Sequence, residues 1–318
     1  MYFLFFDLLL SMLLLIYVFS QTLFNGGFTC NEEPCGFLIS SIKNKKYKLD
    51  LNVQQRKFSQ QTFKINPYYI SGLVDAEGSF IVQIYKDNKI IIGWRVKTTF
   101  TVVLHSKDKM ILEHLQSYWN IEKGITKHGI NSYQFRVSSI KDLSTIIEHF
   151  DKYPLITQKC ADYKLFKQVF DLMVKKEHLT EKGLLEIISI KSSMNNGLSD
   201  ELKVAFPNIT PVQRPVIITN EISDPNWLAG FTDGDGSFFV RVIPSLNYKT
   251  GAQILLTYKL SQHRRDIALM QNLTKYLDCG KVQDLGSGTE ACAFTVSSLK
   301  SLEAKIIPFF FKISSIRG

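Results

Sequence analysis

The chain has 318 residues, with 38 Lys and Arg against 29 Asp and Glu, a formal net charge of +9. That length holds two domains or one duplicated domain, and the basic balance favours a polyanionic partner. Five cysteines (Cys30, Cys35, Cys160, Cys279 and Cys292) are scattered and form neither a CxxC pair nor a Cys/His cluster. A disulfide framework and a zinc site are therefore not expected.

Residues 1–20 are apolar material, with Asp7 the only charge between Tyr2 and Phe19. The stretch 2–19 is long enough to contact or span a membrane. No basic residue precedes Lys43, so neither a secretory signal nor a mitochondrial presequence fits. A cleaved leader, or one derived from an upstream exon, is the alternative. Residues 21–61 turn polar and basic without periodicity and read as a linker.

From residue 62 the chain says nearly the same thing twice. The segment Asn66 to Phe80 (NPYYISGLVDAEGSF) reappears 158 residues later as Asp224 to Phe238 (DPNWLAGFTDGDGSF). Asn66 and Asp224 are N-cap residues, each followed by proline at the first helical position. Gly78 and Gly236 stand where a left-handed helix stop is expected. Strict alternation follows, with Phe80, Val82 and Ile84 on one face, and Phe238, Val240 and Val242 in the second copy; this predicts strands with one buried side. Second strands are predicted over Trp94 to Leu104 and Gln253 to Leu260, then helices over Met110 to Trp119 and Ile267 to Leu277. The steps from Glu77 to Thr101, His105 and Asp108 match those from Asp235 to Lys259, His263 and Asp266. Such agreement over about 75 residues marks an internal duplication.

The first copy continues into helical material, with Tyr163, Phe166, Phe170 and Met173 on one face and a further helix over Thr180 to Met194. The expected division is a first half over 62–194, a linker over 195–221 and a second half over 222–318. The second copy has no counterpart to residues beyond about Cys160 and reads as incomplete. Apolar surface such as Phe309 and Ile313 is then expected to be exposed, and the second half to be less stable than the first.

Each opening helix carries small residues four apart, Gly72 and Ala76 in one and Gly230 and Gly234 in the other, a spacing that lets helix backbones approach closely. If the two helices pack together, Glu77 and Asp235 meet at two C-termini, where the helix dipoles are also negative. Two ionised carboxylates would repel there, and a divalent cation resolves the conflict. Hard oxygen donors without histidine or thiolate favour Mg2+.

Ile70 to Gly78 (ISGLVDAEG) and Leu228 to Gly236 (LAGFTDGDG) resemble the nine-residue motif of the LAGLIDADG homing endonucleases. The stretch Gly197 to Pro207 (GLSDELKVAFP) is similar to the linker of the single-chain, fungal mitochondrial, intron-encoded branch. The resemblance covers residues from about 66 to 318. It implies an α+β fold of two pseudo-symmetric αββαββα halves, whose saddle-shaped antiparallel sheets lie in the major groove of double-stranded DNA at a long asymmetric target site. It makes Glu77 and Asp235 the metal-binding acids, with Ala76 and Gly234 beside them at the metal and in the helix interface. It places Lys259 near the scissile phosphate, where its mate Thr101 is uncharged. Asp75 and Asp233 read as structural, as do His105 and His263. The expected DNA face comprises Ser79, Ile81, Gln83, Tyr85, Arg95, Lys97, Thr99, Thr101, Ser237, Phe239, Arg241 and Gln253. Arg and Gln suit guanine and adenine edges, and Ile81 and Phe239 suit thymine methyls. The implied activity is Mg2+-dependent double-strand cleavage by a mitochondrial monomer, promoting intron homing. A maturase that binds the host intron RNA and a decayed inactive remnant remain the alternatives.

Overall fold

The computed structural model describes residues 65–218, 221–249, 251–286 and 288–315. The apolar stretch and the basic linker expected over 1–61 lie outside these residues. No described helix is long and apolar enough to cross a membrane.

The first half runs α1 (Pro67–Glu77), β1 (Gly78–Lys86), β2 (Trp94–His105), α2 (Lys109–Tyr118), β3 (Ile125–Lys127), β4 (Ser132–Val137) and α3 (Ile140–Lys152). Helices α4 (Lys159–Val174), α5 (Glu181–Ser192) and α6 (Asp200–Ala205) then lead to the second half. That half comprises α7 (Pro225–Asp235), β5 (Gly236–Pro244), β6 (Ala252–His263), α8 (Ile267–Tyr276), β7 (Lys281–Asp284) and β8 (Ala291–Val296). It closes with α9 (Leu299–Ser301), a π-helical turn over Leu302–Ile306, and α10 (Ile307–Ser315). Each half is an αββαββα unit around a four-stranded antiparallel sheet, ordered β1-β2-β4-β3 and β5-β6-β8-β7. Even the register repeats: Ser79 pairs with Thr101 and Ile81 with Thr99, as Ser237 pairs with Lys259 and Phe239 with Thr257.

Local chemistry explains the helix starts. Asn66 accepts the Tyr68 N–H at 2.9 Å and Asp224 accepts the Asn226 N–H at 2.7 Å, with proline at the first turn of each helix. The ends depart from expectation. Gly78 and Gly236 have φ of −78° and −87°, in extended rather than left-handed backbone. Glycine is needed there for space, since a Cβ on Gly78 would lie 2.4 Å from the Val74 side chain and one on Gly236 2.4 Å from the Thr232 carbonyl. The strand can thus leave directly from the last helical turn.

The first core gathers Phe80, Phe100, Phe135, Phe150 and Phe166 with Trp119, mostly in tilted or edge-to-face contact, the arrangement that aromatic quadrupoles favour. Helix α4 lies over β1 and β2 and covers them. The second half differs. Val240 and Val242, expected to be buried, are 39% and 63% exposed; α10 reaches β5 through Phe310 at Phe238, and the two valines lie further along the strand. The residues expected to be exposed behave in the opposite way. Ile313 is only 4% exposed and Phe309 packs against the core, because α10 folds back against α7 and brings Phe310 onto Phe238 and Tyr258.

Candidate active site at the paired helix ends

Helices α1 and α7 are in backbone contact along their small-residue faces. A Cβ on Gly72 would sit 1.9 Å from the Trp227 carbonyl oxygen, and one on Gly230 would sit 1.9 Å from that of Tyr69. At the C-terminal end a Cβ on Gly234 would fall 2.4 Å from the Ala76 Cβ and 3.0 Å from the Glu77 Cγ. The expected interface of Gly72, Ala76, Gly230 and Gly234 is therefore formed, and it carries Glu77 to the end of the partner helix.

Two contacts lock the helices reciprocally. Trp227 donates its indole N–H to Asp75 Oδ2 at 2.8 Å, and Tyr69 donates its hydroxyl to Asp233 Oδ2 at 2.5 Å. Asp75 is buried and also accepts from the Ile156 N–H, the Thr157 N–H and the Thr157 hydroxyl. Burial raises its pKa, against the lowering effect of those hydrogen bonds and of Lys159. Both aspartates are thus structural ties. His105 and His263 are structural too, each accepting the N–H two residues on to cap a short 3-10 turn.

Glu77 and Asp235 are partly buried at the paired helix ends. Desolvation raises both pKa values, and Asp235 reaches about 6 because Glu77 adds repulsion to burial. Two side chains invisible as site residues in the sequence complete the surroundings. Gln262, on β6, donates to Asp235 Oδ2 at 2.9 Å; the first half has Leu104 at the equivalent place. Lys159, at the start of α4, donates its ammonium to the Val74 and Ala76 carbonyls at 2.8 and 2.9 Å, holding the open C-terminal turn of α1. Burial lowers its pKa, and the charges of Asp75, Asp235 and Glu77 oppose that shift. Lys159 is the lysine set among these carboxylates. Lys259 stands on β6 opposite Ser237, whose hydroxyl donates to the Lys259 carbonyl. The signal for Lys159 lay outside the repeat, in the turn after α3, where no internal copy draws attention to it.

The residues expected to face DNA lie on β1, β2, β5 and β6. Ser79, Gln83, Tyr85, Ser237 and Arg241 are exposed, and Ile81, Arg95, Lys97, Phe239 and Gln253 are partly covered. Two members depart: Thr99 and Thr101 are 1% and 8% exposed. Thr101 is flanked on both sides by paired strands, at Ser79 and Arg136, while Thr99 pairs with Ile81 and its hydroxyl is engaged with Ser138 at 3.1 Å. Arg95 is also drawn aside by Asp87 at 2.6 Å; the Lys89 N–H first, and Arg95 after it, lower the Asp87 pKa by hydrogen bonding.

The sequence profile described as LAGLIDADG endonuclease matches residues 70–170 and 228–316. This chain belongs to the LAGLIDADG endonuclease family. A Neurospora crassa protein named probable intron-encoded endonuclease 3 is 38% identical over 292 residues, covering 85% of this chain and 54% of its own length. A second, probable intron-encoded endonuclease 2 of the same organism, is 38% identical, covering 88% of this chain and 63% of itself. The chain thus spans roughly half to two thirds of the length of these curated relatives. The structure is similar to that of the I-SmaMI LAGLIDADG homing endonuclease bound to cleaved DNA, with TM-score 0.77 and 43% identity, covering 78% of this chain and 83% of that one. I-SmaMI bound to an uncleaved DNA target with calcium ions gives TM-score 0.77 at the same identity, covering 78% and 85%. The meganuclease I-CpaMI bound to uncleaved DNA gives 0.74 at 41% identity, covering 78% and 85%.

Proposed function

We propose that this LAGLIDADG endonuclease family member is a site-specific double-strand DNA endonuclease that promotes intron homing, acting as a monomer in the mitochondrion. The observation that carries the reading is the meeting of Glu77 and Asp235, one from each half, at the ends of two helices in backbone contact. Burial raises the pKa of both carboxylates, and Glu77 adds repulsion at Asp235, surroundings that suit a site completed by a cation. The two carboxylates, with the neighbouring carbonyls of Ala76 and Gly234, would hold a divalent metal, and an all-oxygen donor set suits Mg2+. Such a metal, when bound, would supply Lewis acidity to activate water and to offset charge on the leaving oxygen.

The chain's own residues do the rest. Gln262 fixes the orientation of Asp235. Lys159 presents a positive charge where a phosphate gains negative charge, while its bonds to α1 keep Glu77 in place. The face bearing Gln83, Lys97, Arg241 and Gln253 lies in the major groove and reads base edges, and the surrounding Lys and Arg side chains meet phosphates. No feature of the described residues favours an intron RNA partner over duplex DNA.

The test is cleavage by Glu77→Gln and Asp235→Asn. Each variant loses double-strand cutting in Mg2+ and keeps specific duplex binding in Ca2+. Substantial double-strand cutting by either variant removes that carboxylate from the reaction.

A further inference from the structure

Ile81 and Phe239 occupy the same place in the two sheets, on β1 and β5, two residues beyond Ser79 and Ser237 and facing the same way. Neither belongs to the hydrophobic core or packs against it. Each is paired with a threonine, Thr99 or Thr257, and each threonine is itself buried. The hydroxyls of these threonines are already engaged, Thr99 with Ser138 at 3.1 Å and Thr257 with Ser297 at 3.4 Å. The row next to the acids is therefore polar in both halves, and the following row presents hydrocarbon in both.

Single apolar side chains on a surface are ordinary. Here an apolar side chain recurs at both symmetry-related positions, each paired across the strands with a threonine whose hydroxyl is engaged elsewhere; Arg241 covers one face of the Phe239 ring at 5.7 Å and leaves the ring edge open. The rows further out share nothing comparable. Gln83 with Lys97 corresponds to Arg241 with Leu255, and Tyr85 with Arg95 corresponds to Ile243 with Gln253. In the major groove the apolar feature of a base edge is the C5-methyl group of thymine.

We propose that Ile81 and Phe239 each read a thymine methyl, so that the target carries an A·T pair at equal distances on either side of its centre, within a site that is otherwise asymmetric. This rests on the DNA-binding reading above. Two residues of strand advance about 6.6 Å, close to the rise of two base pairs at about 3.4 Å each. The methyl-reading row thus falls about two base pairs outside the polar row beside the acids.

The experiment uses the full chain and a pool of randomised duplexes. Bound duplexes are enriched in Ca2+, remade with partial replacement of thymine by uracil, and the bound and free fractions are sequenced. Uracil keeps the pairing edge and lacks only the methyl. The expected result is depletion of uracil from the bound fraction at two positions equidistant from the centre, by about fourfold for each methyl lost. Ile81→Ser removes one depletion and keeps the other, and Phe239→Ser does the reverse. The pattern with the unsubstituted protein decides the matter even where a variant fails to fold. Uracil tolerated at both positions in an enriched duplex overturns the inference and leaves DNA binding standing. A pool that never enriches overturns the DNA reading, and the inference with it.

Discussion

The Trp227 indole N–H lies 2.8 Å from Asp75 Oδ2, so a residue near the start of one motif helix ties down an acid near the end of the other. The reverse tie, Tyr69 to Asp233, is the same contact with the halves exchanged. The two ties stand in different solvent, because Asp75 is buried and Asp233 is exposed. Removing the donor to the buried acid therefore costs more. Trp227→Phe is expected to lower unfolding stability by about 2–3 kcal/mol, while Tyr69→Phe costs about 1 kcal/mol or less, since water replaces the lost donor. Urea denaturation of the two variants checks the order, and equal losses would show that burial does not govern the tie.

Gly230→Ala tests the helix contact itself. Its Cβ would lie 1.9 Å from the Tyr69 carbonyl oxygen, a backbone atom that cannot rotate away. Overpacking of this kind costs about 3 kcal/mol and also separates Glu77 from Asp235. The expected outcome is a lower denaturation midpoint with cleavage reduced in the molecules that remain folded. A variant of unchanged stability and activity would show that the helices can slide apart freely.

The two candidate lysines are separable by kinetics. Lys159→Met is expected to lower the cleavage rate of bound DNA by about a hundredfold or more, the scale of losing one preorganised charge at a reacting phosphate. Lys259→Met is expected to weaken binding and flatten its salt dependence by about one unit of slope, with the single-turnover rate nearly unchanged. The opposite pattern would return the role to Lys259.

The sequence made the motif helices and the helix–strand–strand–helix opening of each half legible because the chain states them twice, and a coincidence of cap, glycine, acid and alternation is hard to produce otherwise; the sheet order and register were not stated by it. Lys159 and Gln262 were not legible for the same reason: the repeat offers no copy of the first, and it places Leu104 opposite the second. The stop at Gly78 was misread because glycine serves two needs, left-handed backbone and lack of a side chain, and periodicity cannot tell them apart. Thr99 and Thr101 lie on the expected face; alternation reports direction, whereas exposure depends on how far the neighbouring strands close over the middle of the sheet.

His149 supplies a pH prediction. It is 5% exposed, and burial lowers its pKa from 6.5 to about 3. The neutral ring is favoured in the folded state, so this contribution to stability is complete above pH 6.5 and is lost as pH falls from 6.5 towards 3. Between pH 7 and pH 5 the loss from this residue is about 2 kcal/mol. Denaturation midpoints of the native protein should fall over that range, and His149→Phe should show a shallower decline. An equal decline in both would assign the acid sensitivity elsewhere.

Val240 and Val242 lie open where Val82 and Ile84 are covered by α4. Amide exchange should therefore be faster in β5 than in β1. Val242→Thr should change stability by no more than about 0.5 kcal/mol, whereas Val82→Thr should cost more than about 1 kcal/mol. Equal protection of the two strands would show that sheet pairing alone sets the opening energy.

Asp266, on the second half, accepts the N–H of Gln158 at 2.7 Å, immediately before Lys159 in the first. Asp75 grips the two preceding residues, Ile156 and Thr157, and is itself held by Trp227. The turn that aims the lysine is thus clamped by groups translated some seventy and a hundred residues after it. A nascent chain that has emerged only through its first half has Glu77, Lys159 and the grip of Asp75 on the turn, but lacks Asp235 and the ties from Trp227 and Asp266. The proposed site is therefore complete only once the second half has been translated and folded against the first.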